Sequence, residues 1–152
     1  MQALHLKAEL QTCDGVGRLL AAWSNHEVSD NDLSCLIPDL WVYHCDWPEC
    51  MIGADRWVPM FRAAGFLRVP TNLTVPSGPL DLYRGASPDR SRGMAWSLSA
   101  AEAEQFRKRH GPGVTAVFHT TAQLTDMLAK FQRPGLAEEV VLDPERLSIE
   151  RL

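Results

Sequence analysis

No run in this sequence is apolar and long enough to span a membrane. The first twenty residues set Lys7, Glu9 and Asp14 among their apolar neighbours, unlike the charged-then-apolar order of a secretory signal. The expectation is therefore a cytoplasmic chain made without export and without membrane contact. A surplus of positive charge is missing too: the formal net charge is −4, so the broad positive field that sequence-independent nucleic-acid binding needs is absent. Arg90, Arg92, Arg107, Lys108 and Arg109 could still form a local basic patch, although a solvated face explains them as simply.

Cysteine is sparse. Cys13, Cys35, Cys45 and Cys50 are too few for a chain of 152 residues rich in ordinary core residues to depend on disulfide staples, so reduced thiols are expected. His44, Cys45 and Cys50 lack the short knuckle spacing of a zinc site, and no second ligand pair follows, so no metal is expected. There is no GxGxxG, which removes the usual signature of a Rossmann turn.

What is present is ordinary globular composition, 45% hydrophobic and 22% charged, which favours one compact body. Val69 to Pro79 concentrates proline, glycine and small polar residues between two apolar regions, and marks the boundary between a region over 1–72 and another over 79–152. Before it, Leu4 and Ala8, then Val16, Leu19, Leu20 and Trp23, recur at helical intervals. Trp57, Met60, Phe61 and Ala64 do the same and lead to a helix stop at Gly65. This half reads as mostly helical, with Trp23, Trp41, Trp47 and Trp57 as packing anchors.

After the boundary the pattern changes. Leu80–Tyr83 alternates, Val114–Phe118 is β-branched and aromatic, and Val140–Leu142 is a short apolar run closed by Asp143-Pro144. Leu147–Leu152 alternates and predicts a last strand. Ser99 with Glu102 three positions later is a capping box opening a helix, and a second short helix is expected over Thr121–Leu128. Helices first and strands afterwards make an α+β fold.

Three pieces of the second region fall in a suggestive order. Tyr83-Arg84-Gly85 ends a strand, Gly93-Met94-Ala95-Trp96-Ser97-Leu98-Ser99 runs into the capped helix, and Glu138-Glu139-Val140-Val141-Leu142-Asp143-Pro144 begins a late strand. The series resembles the Arg, Ser-x-Ser, Glu succession of ADP-ribosyltransferases of the arginine-serine-glutamate class, over roughly Leu80 to Leu152.

The resemblance implies a split antiparallel β-sheet with short helices and NAD, as substrate, lying in the cleft. It also implies transfer of ADP-ribose to a macromolecule, a protein acceptor, by an effector or toxin of bacterial or phage origin. Tyr83, Arg84, Gly85, Trp96 and Ser97 would contact NAD, with Arg84, Ser97 and Glu139 as the catalytic series. Guanidinium suits diphosphate oxygens because its planar donors are fixed and always charged. A fixed carboxylate suits the positive, oxocarbenium-like ribose formed as nicotinamide departs, which gives Glu139 its role.

The sequence departs from the family in two places. Ala95 stands where the first serine falls if Gly93 is matched, and the triplet reads Ser97-Leu98-Ser99 if the serines themselves are matched; Ser97 is preferred as the polar residue, with Ser99 as the helix cap. Ala137 stands two residues before Glu139, where arginine-modifying members carry Glu, so arginine transfer is disfavoured. NAD hydrolysis by water, and a non-catalytic interaction module on the same fold, are the competing expectations.

Overall fold

The structure is a computed structural model that describes residue 10 and residues 14–152. The helical spacing around Leu4 and Ala8, and Cys13, lie outside the described residues. Two compact units divide the chain, the first ending at Leu67 and the second running from Arg68 to Leu152.

The first unit is helical: α1 (Gly15–Ser24), α2 (Asp30–Pro38), a wider π-type turn (Asp39–His44), α3 (Pro48–Ile52) and α4 (Ala54–Ala64). Helix α2 starts where Ser29 Oγ accepts from the Asp32 N–H and the Asp32 carboxylate accepts from the Ser29 N–H, satisfying donors that a helix start leaves orphaned. Leu33, Leu36, Ile37 and Leu40 follow at helical spacing and are all buried. Gly53 (φ +83°) and Gly65 (φ +81°) bracket α4 in a conformation that side chains rarely adopt.

Aromatic rings hold this unit together. Trp41 meets Trp57 edge-on at 5.1 Å and Phe61 at 5.2 Å, and the Trp57 indole N–H donates to the Pro48 carbonyl at 2.8 Å. Trp41 and Trp57 are thus the anchors that their size suggests. Trp23 is half-buried and donates to Asp30. Trp47 is not a packing anchor: it is 54% exposed, because it precedes the short helix α3 and its ring lies outside the core. The expectation of reduced thiols also fails at Cys45, which is disulfide-bonded, whereas Cys35 and Cys50 are free. Core size, on which that expectation rested, says nothing about which pairs of thiols approach one another.

The sheet contains seven strands: β1 (Leu67–Val69), β2 (Leu80–Ala86), β3 (Ala95–Ser97), β4 (Ala116–Ala122), β5 (Met127–Phe131), β6 (Glu139–Leu142) and β7 (Ile149–Arg151). Their order across the sheet is β1-β5-β6-β3-β2-β4-β7, and the β2–β3, β2–β4, β3–β6, β4–β7 and β5–β6 pairs run antiparallel. The α+β class read from the sequence therefore stands. Helix α5 (Ala100–His110) starts at Ser99, whose Oγ accepts from the Glu102 N–H at 3.1 Å. Only this half of the expected capping box forms, because the Glu102 carboxylate accepts from the Ala137 N–H instead, at 2.7 Å.

One expected helix is replaced. Thr121–Leu128 comprises the end of β4, a single 3-10 turn (Leu124–Asp126) and the start of β5. Asp126 caps that turn by accepting from the Gln123 N–H, and Met127–Phe131 is buried throughout, so no alternation marks it as a strand.

Candidate functional site

Register decides which side chains share a face. Tyr83 lies opposite Ser97, and Ser97 lies opposite Glu139. In the other direction Tyr83 lies opposite His119, and His119 opposite Glu150. Directly opposed residues project to the same side of a sheet. Glu139, Ser97, Tyr83, His119 and Glu150 therefore form one polar row across strands β6, β3, β2, β4 and β7.

Ser97, Glu139, His119 and Glu150 are fixed by side-chain bonds. Ser97 Oγ accepts from the Ser99 N–H at 3.0 Å, just before α5 begins. The Glu139 carboxylate, 20% exposed, accepts from Arg133 Nη1 at 3.1 Å; Arg133 comes from the loop between β5 and β6 and is 33% exposed. Glu138, one position earlier, starts toward the opposite face and pairs with the buried Lys130 at 2.8 Å. The Leu98 N–H donates to the Glu138 carbonyl, and with the Glu102–Ala137 bond this laces the β3–α5 junction to the lead-in of β6.

Gly85 shares the Tyr83 face two residues further on. A Cβ built there would stand 2.8 Å from the Ala103 carbonyl oxygen of α5, so the close approach of helix to strand requires glycine. Helix α5 thus covers the Gly85 end of this face, and Tyr83 beside it is half-buried.

Arg84 goes elsewhere. Alternation starts its side chain on the face opposite Tyr83, Ser97 and Glu139. Its guanidinium donates to the Arg90 carbonyl at 3.2 Å and the Ala95 carbonyl at 2.9 Å, and lies so close over Gly93 that a Cβ there would meet it at 2.2 Å. Trp96 shares that face, is 1% exposed and donates its indole N–H to the Gly93 carbonyl, which makes it a core residue that presents almost no surface to a ligand. Of the residues singled out from sequence, the structure aligns Tyr83, Ser97 and Glu139, sets Gly85 against α5, and directs Arg84 and Trp96 to the far side.

His119 is the group that sequence reasoning passed over. Its ring sits between Asp81 (Nε2 to Oδ1, 2.9 Å) and Glu150 (Nδ1 to Oε1, 2.7 Å), and lies 5.4 Å from the Tyr83 ring. The hydrogen bond to Asp81, joined by that to Glu150, raises the His119 pKa above its ordinary value against an opposing effect of burial. Asp81 is correspondingly held below the usual carboxylate range by the bond from His119 and then by that from Thr121. No triad spacing signals this cluster, because Asp81, His119 and Glu150 are brought together by strand pairing alone.

Among the described residues, no group of three His, Cys, Asp or Glu side chains is arranged to hold a metal ion, and no helix is long and apolar enough to cross a membrane. Comparison with protein-family models, with curated proteins and with solved structures gives no match to this chain.

Proposed function

We propose that the unit from Arg68 to Leu152 is an NAD-cleaving site of the ADP-ribosyltransferase kind, with Glu139 as its catalytic carboxylate. The observation that carries this reading is the direct opposition of Ser97 and Glu139 on neighbouring strands, with Tyr83 next in the same row. A half-buried carboxylate held at a strand start is suited to a ribose that becomes positive as its bond to nicotinamide breaks. In that step the C1′–N bond electrons leave with nicotinamide, which becomes neutral. An acceptor oxygen or nitrogen then supplies the new bond to C1′ and loses its proton to water.

Arg84 enters this reading as a positioning residue. By bonding the Arg90 and Ala95 carbonyls it fixes the loop that delivers β3, and with it Ser97. Ala137 offers no side-chain polar group to an acceptor, and its N–H is held by Glu102, which favours water or an acceptor other than arginine.

The test is incubation of the purified protein, and of Glu139→Ala, with labelled NAD in the presence and absence of a bacterial lysate. Label on a lysate protein identifies a transferase, and nicotinamide release alone identifies a glycohydrolase. The expected loss in Glu139→Ala is about 2.7–4 kcal/mol of transition-state stabilisation, roughly a hundredfold to a thousandfold in kcat, with folding intact. A second reading, a non-catalytic interaction module, is favoured by the engagement of Arg84 within its own loop. Absence of any Glu139-dependent turnover selects it.

A further inference from the structure

Resting on the proposed NAD site, we infer that Arg133, rather than Arg84, is the cation that receives the substrate diphosphate, and that in doing so it releases Glu139. NAD placed against Ser97 and Glu139 lies on the side away from which the Arg84 side chain starts, and the Arg84 guanidinium is bonded to the Arg90 and Ala95 carbonyls. Arg133 is already on the Glu139 side, paired to its carboxylate at 3.1 Å.

The loop that carries Arg133 is a tight turn that leaves the side chain partly exposed. Gly135 has φ +75°, and the turn is closed by the Leu136 N–H donating to the Arg133 carbonyl and by the Gln132 side-chain amide donating to the Leu136 carbonyl. Both turn bonds lie within residues 132–136 and keep the turn's shape, so the exchange needs only a swing of the Arg133 side chain. Its ends are anchored separately, by the Gln132 N–H to the Val69 carbonyl and by the Ala137 N–H to Glu102.

The exchange has a chemical logic. While Arg133 neutralises Glu139, the carboxylate is less able to stabilise a cationic ribose. A diphosphate carries more negative charge than one carboxylate and accepts guanidinium in the same two-pronged fashion, so it competes for Arg133. Binding of the intact dinucleotide then takes the Arg133 charge off Glu139 only when substrate is present. A nicotinamide nucleoside lacking phosphate does not draw Arg133 away, and is a poor substrate for that reason.

The experiment compares wild type, Arg133→Gln, Glu139→Gln and, as a control for net charge, Lys108→Gln on the exposed side of α5, by calorimetric titration with NAD and with ADP-ribose, together with nicotinamide release. Arg133→Gln is expected to weaken ADP-ribose binding tenfold or more, and Lys108→Gln less than twofold. Glu139→Gln is expected to tighten ADP-ribose binding severalfold, because Arg133 no longer has to leave a carboxylate. Thermal melting of each variant shows whether it is folded, and the gain expected of Glu139→Gln cannot arise from misfolding. Glu139-dependent cleavage with ADP-ribose affinity unchanged in Arg133→Gln and in Glu139→Gln overturns this inference and leaves the NAD reading standing. A wild-type protein that neither binds nor cleaves NAD removes both.

Discussion

The two units of this chain solve the same problem with different materials. Up to Leu67 there are four basic and nine acidic residues, and from Arg68 onward eleven basic and ten acidic. The whole of the net negative charge thus belongs to the helical unit. That unit packs rings edge-on and tilted in its interior, Trp41, Trp57 and Phe61, and Arg18 with Glu27 is an exposed ion pair. The sheet unit pairs Arg133 with Glu139 and the buried Lys130 with Glu138, and sets His119 against the exposed carboxylates of Asp81 and Glu150, while the helical unit has a half-buried contact of its own between His44 and Asp39. Burying an ionised group is costly unless it is paired, and Lys130 meets that requirement through Glu138. The contrast is between an interior filled by aromatic rings and one that holds a buried, paired lysine.

The largest effect that can break this contrast is on the packing side. Trp57→Ala removes a fully buried indole, its two ring contacts and its bond to the Pro48 carbonyl, and should cost about 3–5 kcal/mol, read as a lower urea midpoint in circular dichroism. A loss below about 1 kcal/mol would show that aromatic packing does not hold the helical unit.

Glycine-to-alanine changes sharpen the same comparison with opposite signs. At Gly85 the added methyl group runs into the backbone of Ala103 and the Phe106 ring, and a loss of about 1–3 kcal/mol is expected. At Gly17, an exposed position inside α1 with nothing within 4 Å, the same change should gain about 0.5–1 kcal/mol by lowering the freedom of the unfolded chain. Equal effects at the two sites would mean that α5 does not press on β2 as described.

The smallest effect is a pH dependence confined to the sheet. Because the folded pKa of His119 is raised, its contribution to stability is complete below the unfolded histidine pKa and fades as pH rises through the folded value. Asp81, held low, contributes above the unfolded aspartate pKa and loses that contribution as pH falls through its depressed folded value. Melting temperatures of wild type and His119→Asn should differ most between those limits and converge at alkaline pH. A constant difference across the range would mean that the imidazole acts by packing alone.

How far the fold could be read from sequence depended on what each element needs. Ser99 before Ala100–His110 was legible because a cap is a local event, and Leu80–Tyr83 because one face of β2 is open and the other buried. Thr121–Leu128 was misread because Met127–Phe131 is buried on both faces, which erases the period of two that marks a strand. Trp47 misled by its size, since a large ring argues for burial only on average. The site divides in the same way. Glu139 and Ser97 could be named singly, yet their opposition, the turn of Arg84 toward its own loop and the gathering of Asp81, His119 and Glu150 all follow from register, a long-range property.

The neighbouring glutamates at the head of β6 have a mechanical meaning of their own. Glu138 is fastened on one side of the sheet by Lys130, and Glu139 on the other by Arg133, both cations belonging to β5 or the turn that follows it. An Arg133 side chain that swings off Glu139 thus leaves the second fastening, Glu138 to Lys130, in place to hold the head of the strand.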